Sequence, residues 1–125
     1  MPWANFDDQF PKHPKVLPLS DAAFRLHVSG VCHAAQYLTD GVLRSEVVPL
    51  LVPRYKKATL DELIRRGQWH DLGEGCGTDT CPLGVPESHV IHDYLQWNRS
   101  REQVESERER KRKAGRMGAE KRWSQ

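Results

Sequence analysis

Residues 59–97, TLDELIRRGQWHDLGEGCGTDTCPLGVPESHVIHDYLQW, limit most tightly what this chain can fold into. Thr59 and Glu62 stand at capping-box spacing, each able to serve the other's backbone N–H. Leu60, Leu63 and Ile64 follow as an apolar stripe of helical period, and Arg65-Arg66-Gly67 ends that short helix. The pattern then predicts a strand over 68–72, a loop rich in Gly, Asp, Thr and Pro over 73–88, and a second strand over 89–97. A short helix handed straight to a two-stranded ribbon is the closing half of a winged helix-turn-helix.

The remaining segments supply the other half. Residues 1–18 carry four prolines and read as an extended arm, with Trp3 and Phe6 as its anchors. Ser20 caps a helix beginning at Asp21, with Ala22, Ala23, Leu26, Val31, Ala34, Ala35 and Leu38 as its apolar positions. Asp40-Gly41 stops it. Cys32 is expected to be buried in that helix as a small hydrophobe. His27 and His33 are expected to be partly exposed or at the edge of the core. Residues 41–44 form a short strand, Ser45 caps a second helix through Val52, and Pro53 ends it. Residues 54–57 are the turn before the third helix. The predicted fold class is therefore α+β: three helices, a small antiparallel wing and a charged C-terminal extension. The domain boundaries are an arm over 1–18, a winged-helix domain over 19–98 and a basic helix or tail over 99–125. Ile91, Leu95, Trp69, Leu63, Ile64, Leu26 and Val31 are the expected core.

Charge divides at the same boundary. Residues 1–98 hold nine Lys/Arg against twelve Asp/Glu, and residues 99–125 hold ten against five. A near-neutral body with a basic extension predicts a polyanion reached mainly through that extension. Apolar runs fall short of the roughly 20 residues that span a membrane, and Asn5, Asp7 and Asp8 interrupt any secretory segment. A cytoplasmic protein without a membrane partner is expected, in which Cys32, Cys76 and Cys81 stay reduced.

Several motifs carry a resemblance. DGVLR, TLDELIRRGQW and HVIHDYLQWNRSREQVESERERKRKAGRMG look like segments of phage and prophage winged-helix proteins akin to the N-terminal domains of replication initiators (replisome organisers). Trp69 resembles the tryptophan after the third helix of that group, and residues 91–95 its I-H-D-Y/F-L strand. Residues 98–102 resemble its N-x-S-R-E helix start, and residues 114–118 its A-G-R-x-G tail. The likeness covers most of residues 12–118. It implies a winged helix that binds double-stranded DNA in a bacterial host cell and acts in replication or its regulation. A replication or recombination protein is the alternative partner, and the sequence leaves a homodimer open.

In such a fold the third helix enters the major groove and the turn before it meets the backbone. The candidates here are Arg54, Lys56, Lys57, Arg65 and Arg66. The plain competing reading is that Asp61–Arg65 and Glu62–Arg66 are i,i+4 pairs on a solvated surface. Ser100 and Gln103 form a second capping box. The extension beyond them offers Arg110, Lys111, Arg112, Lys113, Arg116, Lys121 and Arg122 to phosphates, with Trp123 free to stack on bases or dock onto protein. Gly115 and Gly118 are expected to end or fray its helix.

Cys76 and Cys81 flank four residues in the long loop. The plain reading is a loop with two free thiols, and a Cys76–Cys81 disulfide is another. A zinc ion is a third, with His70, Cys76, Cys81 and His89 as the ligand set. His89 and His92 fall on opposite faces of a regular strand, so only one of them would join. Catalysis is not expected. His89, His92, Asp93 and Asn98 match a fragment of a His-Asn-His nuclease, but that motif needs a further histidine and none follows His92.

Overall fold

The computed structural model describes residues 3–123. Its order is α1 (Asp21–Tyr37), β1 (Val42–Arg44), α2 (Lys57–Arg65), β2 (Ser88–Val90), α3 (Tyr94–Trp97) and α4 (Arg101–Trp123). The class is α+β, and the arrangement is compatible with a winged helix. β1 and β2 pair antiparallel with Val42 opposite Val90, Leu43 opposite His89 and Arg44 opposite Ser88. On the other side of β2, Trp69 bridges Ile91, and the N–H groups of His70 and His92 donate to the carbonyls of Val90 and Gln68. The segment 88–92 thus lies between β1 and the chain that leaves α2.

The core gathers under this ribbon. Leu26, Val31, Leu63, Trp69 and Ile91 are buried as expected, Leu43 of β1 joins them, and Ile64 and Leu95 pack against them partly covered. Trp69 lies against α1 where Gly30 leaves room: a Cβ at Gly30 would stand 2.6 Å from the indole ring. Its indole N–H donates to His27 Nδ1 at 2.9 Å. His27 is therefore a core residue rather than an edge one, while Cys32 is exposed, not buried. The arm is also not extended. It forms a 3₁₀ turn at Phe10–Lys12, and Phe10, not Trp3 or Phe6, stacks on His27 with ring centroids 5.6 Å apart. Trp3 stands 79 % exposed.

Three expected elements change form. The second helix shrinks to a 3₁₀ turn at Val48–Leu50, because Pro49 and Pro53 remove two of the N–H donors that a helix there would need. The strand expected over 68–72 is reduced to the bridge at Trp69. The strand expected over 89–97 stops at Val90, and residues from Tyr94 turn into a short helix. Asp93 causes the change. Its φ of +54° reverses the chain, and aspartate tolerates that conformation better than most residues. Short apolar runs do not distinguish strand from helix by period alone.

The caps place the helices. Ser20 Oγ accepts from the Ala23 N–H as expected. Thr59 caps nothing, because α2 already begins at Lys57. Glu62 instead reaches α1, accepting from the Ser20 N–H and Oγ at 2.8 Å each. Past α2, Gln68 N–H bonds the Leu63 carbonyl and Gly67 N–H bonds that of Ile64, the double bond of a helix closed by a left-handed glycine. The Ser100–Gln103 box forms in both directions, and Asp40 Oδ1 accepts from the Arg101 N–H at 2.7 Å. α4 then runs unbroken through Gly115 and Gly118 rather than ending there. No described helix is long and apolar enough to cross a membrane. The Trp123 side chain lies outside what is described.

Candidate metal centre and nucleic-acid interface

Strand parity decides which histidines meet. Trp69 and Ile91 are bridged and both buried, so they occupy the core face of the ribbon. Successive residues alternate, so His70 and His92 occupy the opposite face together. His89 is in register with buried Leu43 and shares the core side. The cluster is accordingly His70, Cys76, Cys81 and His92, with all four ligand atoms within 4.8 Å of one another. His92 replaces the expected His89. His89 supports the site from behind: its Nδ1 lies 3.1 Å from the His70 carbonyl, the one partner there to which it can donate.

The loop brings both thiols to this face. Thr78 and Cys81 exchange backbone bonds of 2.8 and 3.3 Å, and the Gly77 N–H donates to the Pro82 carbonyl. Its two legs abut so closely that a Cβ on Gly84 would stand 2.1 Å from the Gly73 carbonyl oxygen. Cys76 and Cys81 remain free thiols rather than a disulfide. Cys81 is buried and Cys76 exposed. The loop is therefore shaped, not slack.

His70 Nε2 stands 3.2 Å from Cys81 Sγ, 3.4 Å from Cys76 Sγ and 3.1 Å from His92 Nδ1. Cys76 Sγ is also 3.5 Å from His92 Nδ1. A ring nitrogen carries one proton or one lone pair and cannot satisfy three such neighbours. A common partner at the centre can. Tetrahedral zinc, with bonds of roughly 2.0–2.3 Å, holds its ligand atoms roughly 3.3–3.8 Å apart, and two thiolates with two imidazoles are a donor set it takes. Burial, and then His92 beside it, push the His70 pKa down, which keeps the imidazole in the neutral form that ligates. The hydrogen bond with Cys81, followed by burial, pushes the Cys76 thiol up. A bound cation would reverse that direction.

A second layer orients the ligands. His92 Nε2 lies 3.2 Å from Asp93 Oδ2, leaving Nδ1 to face the cluster. Asp93 Oδ1 accepts from Thr80 Oγ1 at 3.0 Å, and the Leu95 N–H donates to the Thr80 carbonyl. One carboxylate thus ties the cysteine loop to the histidine turn. Asp93 is legible in the sequence only as a strand-edge charge, since its role depends on the chain reversal that it makes itself.

The cationic residues fall on a different surface. Lys57, Asp61 and Arg65 share one face of α2, and Arg54, Lys56, Lys57, Arg65 and Arg66 are all exposed. Neither expected i,i+4 pair forms, and none of these five is in a salt bridge among the described residues. Glu62 is turned toward Ser20, which holds its carboxyl below the usual range. Arg25 joins this surface, lining a groove with Arg54, Tyr55 and Thr59. Nothing in the sequence around Arg25 marks it, because the adjacency arises from α1 packing on α2. Arg99, just before α4, pairs with Glu107, and on α4 Arg101 and Arg112 pair with Glu105 and Glu109. Arg110, Lys111, Lys113, Arg116 and Arg122 are exposed without such a pair among the described residues, and Lys121 has a partner.

No family model, curated protein or solved structure matches this chain.

Proposed function

We propose that this is a zinc-stapled winged-helix protein that binds double-stranded DNA, acting in phage or prophage DNA replication or its regulation. The observation that carries the reading is the fate of Glu62. By capping α1 it forms no salt bridge with Arg66, and Arg54, Lys56, Lys57, Arg65 and Arg66 all stand exposed without a salt bridge among the described residues, available to phosphate. In this reading α2 lies in the major groove, where Arg65 or Arg66 can meet guanine O6 and N7. Arg25, Arg54, Lys56 and the cations of α4 bind backbone phosphates. His70, Cys76, Cys81 and His92 hold a structural zinc ion that keeps the wing loop closed. Four protein ligands leave no open position for a substrate, which fits a role without catalysis.

The test is fluorescence anisotropy on duplexes of unrelated sequence. Replacing Arg65 and Arg66 together by Gln should weaken binding and narrow any preference between sequences, by about 1–3 kcal/mol for each bidentate arginine–guanine pair removed. Asp61→Asn should tighten binding. Unchanged affinity in both variants would remove α2 from the interface.

A second reading, a module docking on a replication or recombination protein, is favoured by one feature. Residues 68–98 contain five acidic residues and no Lys or Arg, so the wing itself is no partner for phosphate.

A further inference from the structure

The wing loop and the apolar residues of α4 are each exposed in a way that the DNA reading does not use. Leu72, Leu83 and Val85 are 50 %, 73 % and 41 % exposed, on two legs whose backbones touch at Gly73 and Gly84. Backbone bonds close this loop, so three large apolar side chains are presented to solvent on one shaped segment, and apolar surface exposed together marks interaction sites. The same loop carries Asp71, Glu74, Asp79 and Glu87, all exposed and none in an ion pair among the described residues. The cluster does not offset these charges, since two thiolates and a divalent cation sum to zero.

The C-terminal half of α4 has the complementary composition. Ala114, Met117 and Gly118 lie within little more than a turn, with Met117 69 % exposed. Arg110, Lys111, Lys113 and Arg116 flank them. Among the described residues of α4, Val104 alone is buried. At 1.5 Å per residue, Arg110 stands about 14 Å and Arg122 about 32 Å along the helix from Arg101. Residues 110–118 are all exposed, so the basic half is not seated on its own wing while the helix stays whole, and a wing that receives it belongs to another molecule.

We infer that the wing surface at Leu72, Leu83 and Val85 docks the basic half of α4 from a second copy of this chain, apolar strip on apolar strip and acidic rim against basic flanks. Two copies exchanging α4 in this way close a two-fold pair with both surfaces used. The attraction is between exposed charges, so salt weakens it. The inference goes beyond the DNA reading, and DNA competes with the wing for the same cations.

Sedimentation of the full chain gives the test, at low and high salt. The wild type should associate toward twice its 14.4 kDa mass at low salt and dissociate as salt rises. Glu74→Lys with Asp79→Lys should stay monomeric, as should Lys111→Glu with Lys113→Glu, yet an equimolar mixture of the two variants should form a mixed pair. Leu83→Ala, which alters no charge, should weaken association about tenfold. A wild type that remains monomeric at about 100 µM and low salt overturns the inference, and so does a mixture that stays monomeric. Loss of DNA binding in the α4 variant with an unchanged wild-type monomer would assign those cations to phosphate alone.

Discussion

His27 accepts a hydrogen bond from Trp69 only while its own ring is neutral, and burial pushes its pKa down from 6.5 to about 4. An unfolded chain protonates this residue near pH 6.5, the folded chain only near pH 4. Between those values the unfolded state holds the extra proton. The contribution is therefore whole above about pH 6.5 and is lost as pH falls toward 4, by as much as about 3 kcal/mol. Urea unfolding at a series of pH values should show that decline, and His27→Gln should flatten it. Trp69→Ala should cost about 3–5 kcal/mol, through the cavity it opens between Gly30, Leu43 and Ile91. A loss under about 1 kcal/mol would place the indole outside the core. Trp69 is readable as core from its place after a short helix. His27 is not, because its burial comes from Phe10 of the arm, seventeen residues earlier in the chain.

At the level of elements, the ribbon and its loop separate what local pattern can show from what it cannot. The signal for the correct histidine is present in the sequence: each of His70 and His92 directly follows an expected core residue, Trp69 and Ile91, and so shares the opposite face. Placing His89 in the ligand set assumes that the strand begins at the ligand, without the register. The prolines near Val48 and the reversal at Asp93 are visible as residues, but their consequences depend on what the neighbouring segments demand. The site makes a sharp prediction. The purified chain should carry about one zinc per molecule, and Cys76→Ser or His92→Ala should lower zinc content and thermal stability together. His89→Ala should lower stability while leaving most of the zinc. Asp93→Asn should weaken zinc affinity by about 10- to 100-fold, since it frees His92 and releases Thr80. Metal analysis paired with thermal melts decides these. A chelator-treated protein with an unchanged melting temperature would exclude a structural metal.

Across the whole molecule, charge is sorted onto three surfaces: cations on the turn and α2, cations on the far half of α4, and acids on the wing. The split between a near-neutral body and a basic extension is legible from composition. The acidic wing is also legible, but it matters only once the loop is known to be held shut beside the ribbon. Helix α4 is readable from its capping box, and its passage through two glycines is not, since helix propensity argues against it. DNA binding is the central claim, and counterion release measures it directly: affinity falls with salt with a slope near −0.9 per phosphate neutralised. The decisive experiment is a salt titration on two unrelated duplexes, comparing the wild type with a variant carrying Gln at Arg110, Lys111, Lys113 and Arg116. Wild-type affinity should fall steeply with salt, and the variant slope should be flatter by about three to four units on both duplexes, with discrimination between them nearly intact. A wild type whose binding is absent or independent of salt, or equal slopes for the two proteins, would contradict that claim.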